Sequence, residues 1–329
     1  MTTRTLFRPL SLITIAITLL ASLVLPAHIA SAQSTGSQAL EIGPPVINLV
    51  GDPGQTVTAQ VSLRDVSDGQ LVVTSQINDF VAGDESGTPK LLLEDGEESP
   101  YSMKSWFSPI SEQVLEPREV VSQDITINIP ASAAPGGYYA VIRFTGVAPD
   151  LDGTGVALSA SLGSLVFLRV NGDVNEDIAI EEFYTANEDS AQTLFQTAPV
   201  NFVVRLKNNG TIHEQPAGKI AVKDMFGNDV ANVNVNLPPR NILPDSIRRF
   251  DQALDSRNIG NRILFGYYTA DLTVTYGDGE TVTAKTGFWV IPYTLIAIVV
   301  IGLILAIFLL RFLVRRYNRF IVKQAQRRR

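Results

Sequence analysis

The stretch DITINIPASAAPGGYYAVIRFTGV, residues 124–147, has the pattern of two β-strands joined by a turn. Its isoleucines alternate with polar residues up to Pro130, and a period of two places one face of a strand in a core and the other in solvent. The triplet Pro135-Gly136-Gly137 then supplies turn residues ahead of the apolar run that begins at Tyr138. This stretch therefore predicts antiparallel β-structure.

Similar short runs extend in both directions from this stretch, separated by Gly, Pro and Asp and without a helical pattern between them. They predict a first β-sandwich over residues 41–171 and a second over residues 172–287. The predicted fold class is all-β, with two tandem immunoglobulin-like antiparallel sandwiches followed by a single transmembrane α-helix.

The two predicted sandwiches also share a short motif. The first has Leu115-Glu116-Pro117 and later Gly137-Tyr138-Tyr139-Ala140, and the second has Ile242-Leu243-Pro244 and later Gly266-Tyr267-Tyr268-Thr269-Ala270. In each, the glycine suits a turn, and a tyrosine can bury its ring while its hydroxyl reaches the backbone, as at a tyrosine corner. Duplication of one module explains the motif, and chance recurrence of a common sandwich pattern is the alternative.

The C-terminal region predicts a membrane anchor. Residues 286–310 contain no charge, and this length exceeds what a bilayer core of about 30 Å requires. We assign the transmembrane helix to residues 288–310, with Phe288, Trp289 and Tyr293 as aromatic residues at the headgroup level. The tail, residues 311–329, carries eight basic residues and no acid, which places it in the cytoplasm. A buried core helix is the alternative.

The N-terminus agrees with this orientation. Two arginines precede an apolar segment, and Ala30-Ser31-Ala32 follows as a cleavage site, so residues 1–32 are predicted to be a secretory signal peptide. Residues 33–40 are small and polar and predict a flexible leader. The mature chain is then a single-pass type I protein of the cell membrane, with an extracellular N-terminus. An uncleaved signal anchor is the alternative.

Charge and cysteine content limit the function of the extracellular part. Of the 26 basic residues, two lie in the predicted signal peptide and eight in the tail, so the 33 acidic residues outnumber the remaining 16 basic ones by 17. An acidic surface repels phosphate backbones, so we expect no nucleic-acid partner. The absence of cysteine excludes disulfides and thiolate catalysis. Cysteine-free secreted domains of this size fit a bacterial protein.

Candidate binding residues lie in and after residues 81–100, an irregular, acidic stretch predicted to be a long excursion between strands. Surface solvation is its alternative interpretation. The aromatic pair that follows it either caps the core or contacts a sugar or a protein partner. The candidate residues are Glu94, Asp95, Glu97, Glu98, Trp106 and Phe107.

No catalytic, cofactor or metal site is predicted. The mature chain keeps one histidine, His213, within the polar turn Asn208–His213, and we interpret it as an exposed structural residue. One histidine cannot build a multi-histidine metal site, and no nucleophile-elbow pattern supports a Ser-His-Asp triad. A carboxylate pair of the glycosidase type is not singled out by any pattern. We therefore predict a non-enzymatic protein without a cofactor.

The basic tail contains a further pattern. Four of its basic residues recur at a spacing of four, which would align them on one face of a helix that continues from the membrane span and lies on anionic lipid. A simple topological stop signal is the alternative. These candidate membrane-surface residues are Arg311, Arg315, Arg319 and Lys323.

The layout of signal peptide, two sandwich modules, one span and a basic tail resembles the bacterial surface proteins of the DUF916 or WxL-interacting type. The resemblance covers most of the extracellular part and depends on short turn motifs. In the first module these are Pro53-Gly54, Trp106 ahead of Leu115-Glu116-Pro117, Ile129-Pro130 and Pro135-Gly136-Gly137-Tyr138-Tyr139. In the second they are Asn209-Gly210, Pro216-Ala217-Gly218, Phe226-Gly227 and Asn241-Ile242-Leu243-Pro244. The resemblance implies that the first module contacts peptidoglycan and the second a partner protein or host ligand.

The sequence therefore predicts a membrane-anchored extracellular binding or scaffold protein of the bacterial cell envelope. Its expected partners are the lipid bilayer and either peptidoglycan or another surface protein. One alternative is a cell-envelope enzyme that acts on carbohydrate or processes proteins, which would need a cleft with a close carboxylate pair. Another is an accessory subunit of a membrane complex, whose span would pack against another helix through Gly302.

Overall fold

A computed structural model describes residues 40–94, 96–147, 160–188, 190–260 and 262–326 of the chain. The predicted signal peptide, all but the last residue of the predicted leader, and the candidate residue Asp95 lie outside the described residues. The last three residues of the tail also lie outside them.

The first β unit, residues 40–170, contains two antiparallel-dominated sheets. One has the strand order β1-β3-β7, and the other has the order β2-β9-β8-β4-β5 with β6 also paired to β4. β2 runs parallel to β9, whereas the other pairs are antiparallel. The strands are β1 (Leu40–Gly43), β2 (Val46–Gly51), β3 (Thr56–Asp65), β4 (Leu71–Ala82), β5 (Pro89–Leu92), β6 (Gln113–Leu115), β7 (Val120–Asn128), β8 (Gly136–Val147) and β9 (Ala160–Val170).

The second β unit, residues 178–290, also contains two sheets, with the strand orders β11-β10-β13-β16 and β12-β18-β17-β14-β15. Its strands are β10 (Ile178–Asn187), β11 (Ser190–Ala191), β12 (Leu194–Phe195), β13 (Val200–Asn208), β14 (Ala217–Asp224), β15 (Asp229–Val235), β16 (Ile247–Leu254), β17 (Gly266–Tyr276) and β18 (Glu280–Val290). The described chain also has two α-helices, α1 (Ser256–Ile259) and α2 (Tyr293–Gln326), and a short 3-10 helix, Lys104–Trp106.

Each β unit has its own apolar core, and alternation along the strands explains both. In β7 the alternating residues Ile125 and Ile127 are buried in the first core together with Phe144 of β8. In the second unit Phe202 of β13 and Phe288 of β18 are buried in a separate core, with their rings 5.8 Å apart. The predicted class, mostly β-sandwich with one C-terminal apolar helix, is confirmed, and the division into two tandem immunoglobulin-like domains stays a prediction.

The motif shared by the two units forms the same local structure in both. Strands β8 and β17 each begin with a glycine in the left-handed region, at a φ of 153° for Gly136 and 108° for Gly266. The Tyr138 hydroxyl donates to the carbonyl of Ala134 at 3.0 Å, and the Tyr268 hydroxyl accepts a bond of 3.0 Å from the backbone N–H of residue 265. The predicted corners are confirmed, although the glycine that opens the first one is residue 136 rather than 137.

Residues 81–100 differ from the predicted irregular excursion. β4 continues to Ala82 and turns back at residues 83–88, and β5 then pairs with its end in the register Asp79↔Leu92 to Ala82↔Pro89. The first half of the stretch is therefore a β-hairpin. Hydrogen bonds within the turn stabilise it, because the Asp84 carboxylate accepts from both the backbone N–H and the hydroxyl of Ser86. The density of polar residues concealed this pairing in the sequence.

The membrane helix does not begin at the predicted residue 288. β18 extends to Val290, and Phe288 is fully buried in the second core rather than placed at a headgroup level. The end of the last strand, Phe288–Val290, and the helix are both apolar and no charged residue separates them, so composition alone could not divide them. Pro292 marks the division, since a proline is tolerated ahead of the first turn of a helix.

Helix α2 is long and apolar enough to cross a membrane. Its candidate span covers Tyr293–Arg319, 27 residues, and contains an 18-residue apolar window of mean hydropathy 3.0, none of which is buried against the rest of the protein. The helix continues past the predicted end of the span at residue 310 and reaches Gln326. Arg311, Arg315 and Arg319 therefore lie on a helix at the predicted spacing, and the backbone of Lys323 continues it. Their contact with lipid stays a prediction.

Candidate functional site

The predicted aromatic pair is packed rather than fully exposed. The ring of Trp106 lies 4.4 Å from that of Tyr138, centroid to centroid, and both Trp106 and Phe107 pack against the first core. Phe107 also forms an isolated β-bridge with Ile127 of β7. This packing matches residues that cap a core, and a binding role for the pair stays a prediction.

The predicted acidic residues lie at the surface after β5. Glu94 and Glu98 are exposed and Glu97 is half-buried. The Glu98 carboxylate lies 4.0 Å from the Lys104 ammonium, which approaches the buried Asp79 more closely, at 3.3 Å. Because Lys104 neutralises a buried acid of the first unit, its role here is structural. A binding role for the three described acids stays a prediction.

A cleft between the two β units was not anticipated from the sequence. It has a volume of about 400 Å³, and its walls come from β2, β4, the β4–β5 turn and β9 of the first unit and from residues 239–248 of the second. Phe80, Phe167 and Leu243 provide apolar wall, whereas Asn48 and Gln215 are polar. A concave site with apolar walls and a few polar groups is the usual form of a ligand pocket.

Two arginines make this cleft electropositive. Arg248 is half-buried, and its Nη1 donates to the carbonyl of Asn241 at 2.6 Å. Its guanidinium packs over Gly87, where a Cβ would collide with it. Burial and the charge of the neighbouring Arg240 lower the pKa of Arg248. Among the residues described, neither arginine has an ion pair within 4 Å, and Asp84 is the one acidic side chain among the lining residues of the cleft.

Two polar side-chain atoms at the cleft, one of them in Arg248, are buried without a hydrogen-bond partner. The Arg248 Nε and the Asn241 Oδ1 have no hydrogen-bond partner among the described residues. Asp84 also lines the cleft, but its carboxylate is engaged with Ser86 in the hairpin turn. A buried donor and a buried acceptor without partners are costly unless a ligand or water satisfies them. The arrangement can therefore bind an anionic group next to an apolar one.

Direct contacts between the units hold the cleft in shape. The Arg205 guanidinium donates two bonds to the Glu85 carboxylate, at 2.8 and 2.5 Å, and the backbone N–H of Arg249 donates to the Glu85 carbonyl at 2.7 Å. Tyr101 donates to the Asp245 carboxylate at 2.8 Å, and burial and this bond raise the pKa of Tyr101 to about 12. A bidentate Arg–carboxylate pair fixes orientation as well as distance.

The interpretation of His213 as exposed is wrong. Its ring is half-buried between the units, 5.6 Å from Tyr139 and 5.1 Å from Phe167, centroid to centroid. Burial, with a contribution from Arg169, lowers the pKa of His213 to about 4. Its polar turn suggested exposure, but the turn packs on the first unit, where the Gly137 N–H donates to the Thr211 carbonyl at 2.9 Å.

The residues of the cleft carried no motif that sequence reasoning could use. Arg248 and Asn241 lie in ordinary polar surroundings, and the tertiary arrangement alone brings them to the hairpin turn of the other unit. The one available signal was the apolar run that starts at Tyr138, which is too continuous for a strand with a single buried face. The described residues also include no group of three His, Cys, Asp or Glu side chains that could hold a metal ion.

No family model matches the chain, and no curated protein matches it either. Several solved structures resemble it in fold. A chaperone–tip adhesin complex of CFA/I fimbriae biogenesis matches with 12% identity and a TM-score of 0.40, over 75% of this chain and 98% of that chain. The CsuC–CsuE chaperone–tip adhesion subunit complex of Acinetobacter baumannii matches with 11% identity and a TM-score of 0.34, over 75% and 97%.

The chaperone DraB of E. coli matches with 13% identity and a TM-score of 0.34, over 76% of this chain and 96% of that chain. At such identities and TM-scores the likeness carries no information about a ligand or an activity.

Proposed function

We propose that this chain is a membrane-anchored extracellular binding or scaffold protein of the bacterial cell envelope, built from two tandem immunoglobulin-like modules. Helix α2 is its anchor, the β units lie outside the cell, and the basic end of the helix lies inside. The ligand binds in the cleft between the two β units. It is peptidoglycan or the exposed segment of another surface protein.

The observation that carries this proposal is the unsatisfied, electropositive cleft. Arg248 is half-buried in a wall shared with apolar side chains and has no ion-pair partner among the described residues, and the side-chain acceptor of Asn241 is buried without a donor. A free carboxylate at the end of a peptide pairs with an arginine. Peptide stems of peptidoglycan and chain ends of proteins both offer this group beside small apolar side chains.

Two features support the proposed orientation. The uncharged part of the span ends at Leu310 and is followed by Arg311, Arg315, Arg316 and Arg319 and by no acid, and basic residues at the end of a span stay on the cytoplasmic side. The β units would then stand at the outer face of the membrane, because only residues 291 and 292 separate β18 from α2.

The test measures co-sedimentation of the full-length protein, in detergent micelles, with isolated peptidoglycan. Arg248→Gln is the informative variant, and we expect it to weaken saturable binding about tenfold, since a lost charge-assisted hydrogen bond is worth about 1.5–3 kcal/mol. Arg64→Gln, which removes one exposed positive charge from the first unit outside the cleft, is the matched control and should bind as the wild type does.

If Arg248→Gln and the wild-type protein bind equally well, the ligand does not bind in the cleft. Retention of one defined surface protein, without affinity for the wall, would identify the partner as protein and favour an accessory subunit. A parallel loss in Arg64→Gln would mean that binding depends on net charge alone.

A further inference from the structure

The second β unit exposes large apolar side chains at one of its ends. Phe226 is 81% exposed and Ile263 is 87% exposed, and three further apolar residues at this end are between about half and two-thirds exposed. Single exposed apolar residues are ordinary, whereas several at one end of a domain mark an interaction surface. We call this group the apolar rim. It consists of Met225, Phe226, Ile263, Phe265 and Trp289.

Strand pairing places the rim at a single end of the unit. Gly266, at the start of β17, pairs with Val290 at the end of β18, which brings Phe265 and Trp289 to the same edge. The turn between β14 and β15 reaches this edge too, because Asp224 pairs with Tyr268 and the Met225 methyl packs on Gly266. The rim therefore combines three separate segments.

The same end is the root of the membrane helix. Ile263 and Pro292 line one shallow pocket, so the loop after α1 lies beside the start of α2. The Ile291 N–H donates to the Phe195 carbonyl at 2.8 Å, and the Thr294 hydroxyl donates to the Gln196 side chain at 2.9 Å. These bonds fix the first turn of α2 to the β unit.

We propose that the apolar rim is seated in the interfacial layer of the bilayer that α2 crosses. This inference rests on the proposed membrane anchoring. A helix that enters the bilayer at Tyr293 brings the neighbouring side chains to headgroup depth, where aromatic residues are favoured and where exposed apolar surface is removed from water. The partner is therefore the lipid itself, and the second β unit lies on the membrane instead of standing free above it.

Leu237 provides a matched comparison within the same unit. It is 69% exposed and follows the far end of β15, whereas Phe226 precedes the near end of that strand. If exposure alone decided contact with lipid, the two positions would behave alike. If the rim is seated in the bilayer, only position 226 is covered.

The experiment uses the lack of native cysteine, so that each introduced cysteine is the single thiol of the full chain. Phe226→Cys, Ile263→Cys, Leu237→Cys and, within the span, Phe308→Cys are labelled with bimane and reconstituted into vesicles of phosphatidylcholine and phosphatidylglycerol. Quenching is measured with lipids that carry a nitroxide near the headgroup or deep in the acyl chain. We expect the labels at 226 and 263 to be quenched at least threefold more than the label at 237 by the shallow nitroxide. We expect the label at 308 to be quenched by the deep one.

Quenching at 226 and 263 no greater than at 237, with deep quenching at 308, would overturn the seating of the rim and leave the anchor intact. Loss of quenching at 308 would overturn the proposed anchoring, and the rim proposal with it. If the labels at 226 and 263 are shielded from aqueous iodide but not quenched by lipid nitroxides, a second copy of the chain covers the rim, which also overturns contact with lipid.

Discussion

Strands β8 and β17 begin in the same way and then differ. In both, a glycine with positive φ is followed two residues later by a tyrosine that bonds to backbone, and then by a fully buried alanine, Ala140 or Ala270. From there β17 alternates between buried and less buried positions, whereas β8 is buried on both faces from Tyr139 through Ile142. One starting motif therefore serves two different environments.

The second buried face of β8 has a definite cause. Tyr139 and Val141 belong to a small apolar cluster with Phe80 and Phe167, against which Leu243 of the second β unit packs. The equivalent positions in β17 are Thr269 and Asp271, and the Asp271 carboxylate pairs with Lys223 at 3.3 Å and Lys285 at 3.2 Å. A continuous apolar strand in a sandwich thus marks the face that meets a neighbouring unit.

The largest expected effect comes from the removal of this second face. Tyr139→Ala should lower the free energy of unfolding of the first unit by about 3–5 kcal/mol, because it leaves a cavity among Phe80 and Phe167. Thr269→Ala, at the equivalent position of β17, should change the free energy of unfolding of the second unit by less than about 1 kcal/mol. Urea unfolding measures both, with Trp106 fluorescence in a Trp289→Phe background for the first unit and Trp289 fluorescence in a Trp106→Phe background for the second.

Equal costs for the two variants would mean that the second face of β8 contributes nothing beyond an ordinary sheet surface. The difference between the units would then have no energetic basis.

The architecture could be predicted from the sequence because it depends on local periodicity. The alternation in β7 and β13, and the glycine and tyrosine of each corner, predicted strands and turns that the structure contains. The end of β18 could not be predicted, because the apolar end of this strand is followed directly by an apolar helix and the composition does not change between them. Only the burial of Phe288 and the exposure of α2 separate the two.

The candidate site could not be predicted from the sequence, because it depends on contacts between residues far apart in the sequence. The Glu85–Arg205 pair and the position of Arg248 over Gly87 join the two units across more than a hundred residues. No local pattern encodes such pairs. The run from Tyr138 to Phe144 did contain part of the answer, because its continuity predicts a strand that is covered on both sides.

A smaller effect is expected from pH, through the histidine at the junction of the units. The folded-state pKa of His213 is about 4, below its ordinary value of 6.5, so the unfolded chain takes up a proton first as the pH falls. The contribution of His213 to stability is complete above pH 6.5 and declines by about 1.4 kcal/mol per pH unit towards pH 4, about 3 kcal/mol at most. His213→Gln should remove this part of the pH dependence.

Thermal or urea unfolding of both proteins between pH 7 and pH 4 measures the difference in slope. Burial raises the pKa of the neighbouring Glu214, which gives a dependence of opposite sign, but Glu214 is present in both proteins and its effect cancels in the difference. Parallel pH profiles would show that the His213 ring is solvated, contrary to its packing against Tyr139 and Phe167.

The smallest expected effect on the free energy of unfolding comes from removal of a buried tyrosine hydroxyl, that of Tyr268 or that of Tyr139. The Tyr268 hydroxyl both accepts from the N–H and donates to the carbonyl of Phe265, so Tyr268→Phe should cost about 1 kcal/mol. The Tyr139 hydroxyl is buried and has no partner among the described residues, so Tyr139→Phe should be neutral or slightly stabilising. Urea unfolding at neutral pH compares them. A cost of about 1 kcal/mol in Tyr139→Phe as well would mean that water satisfies that hydroxyl at the junction, and the two units would then differ in packing but not in hydrogen bonding.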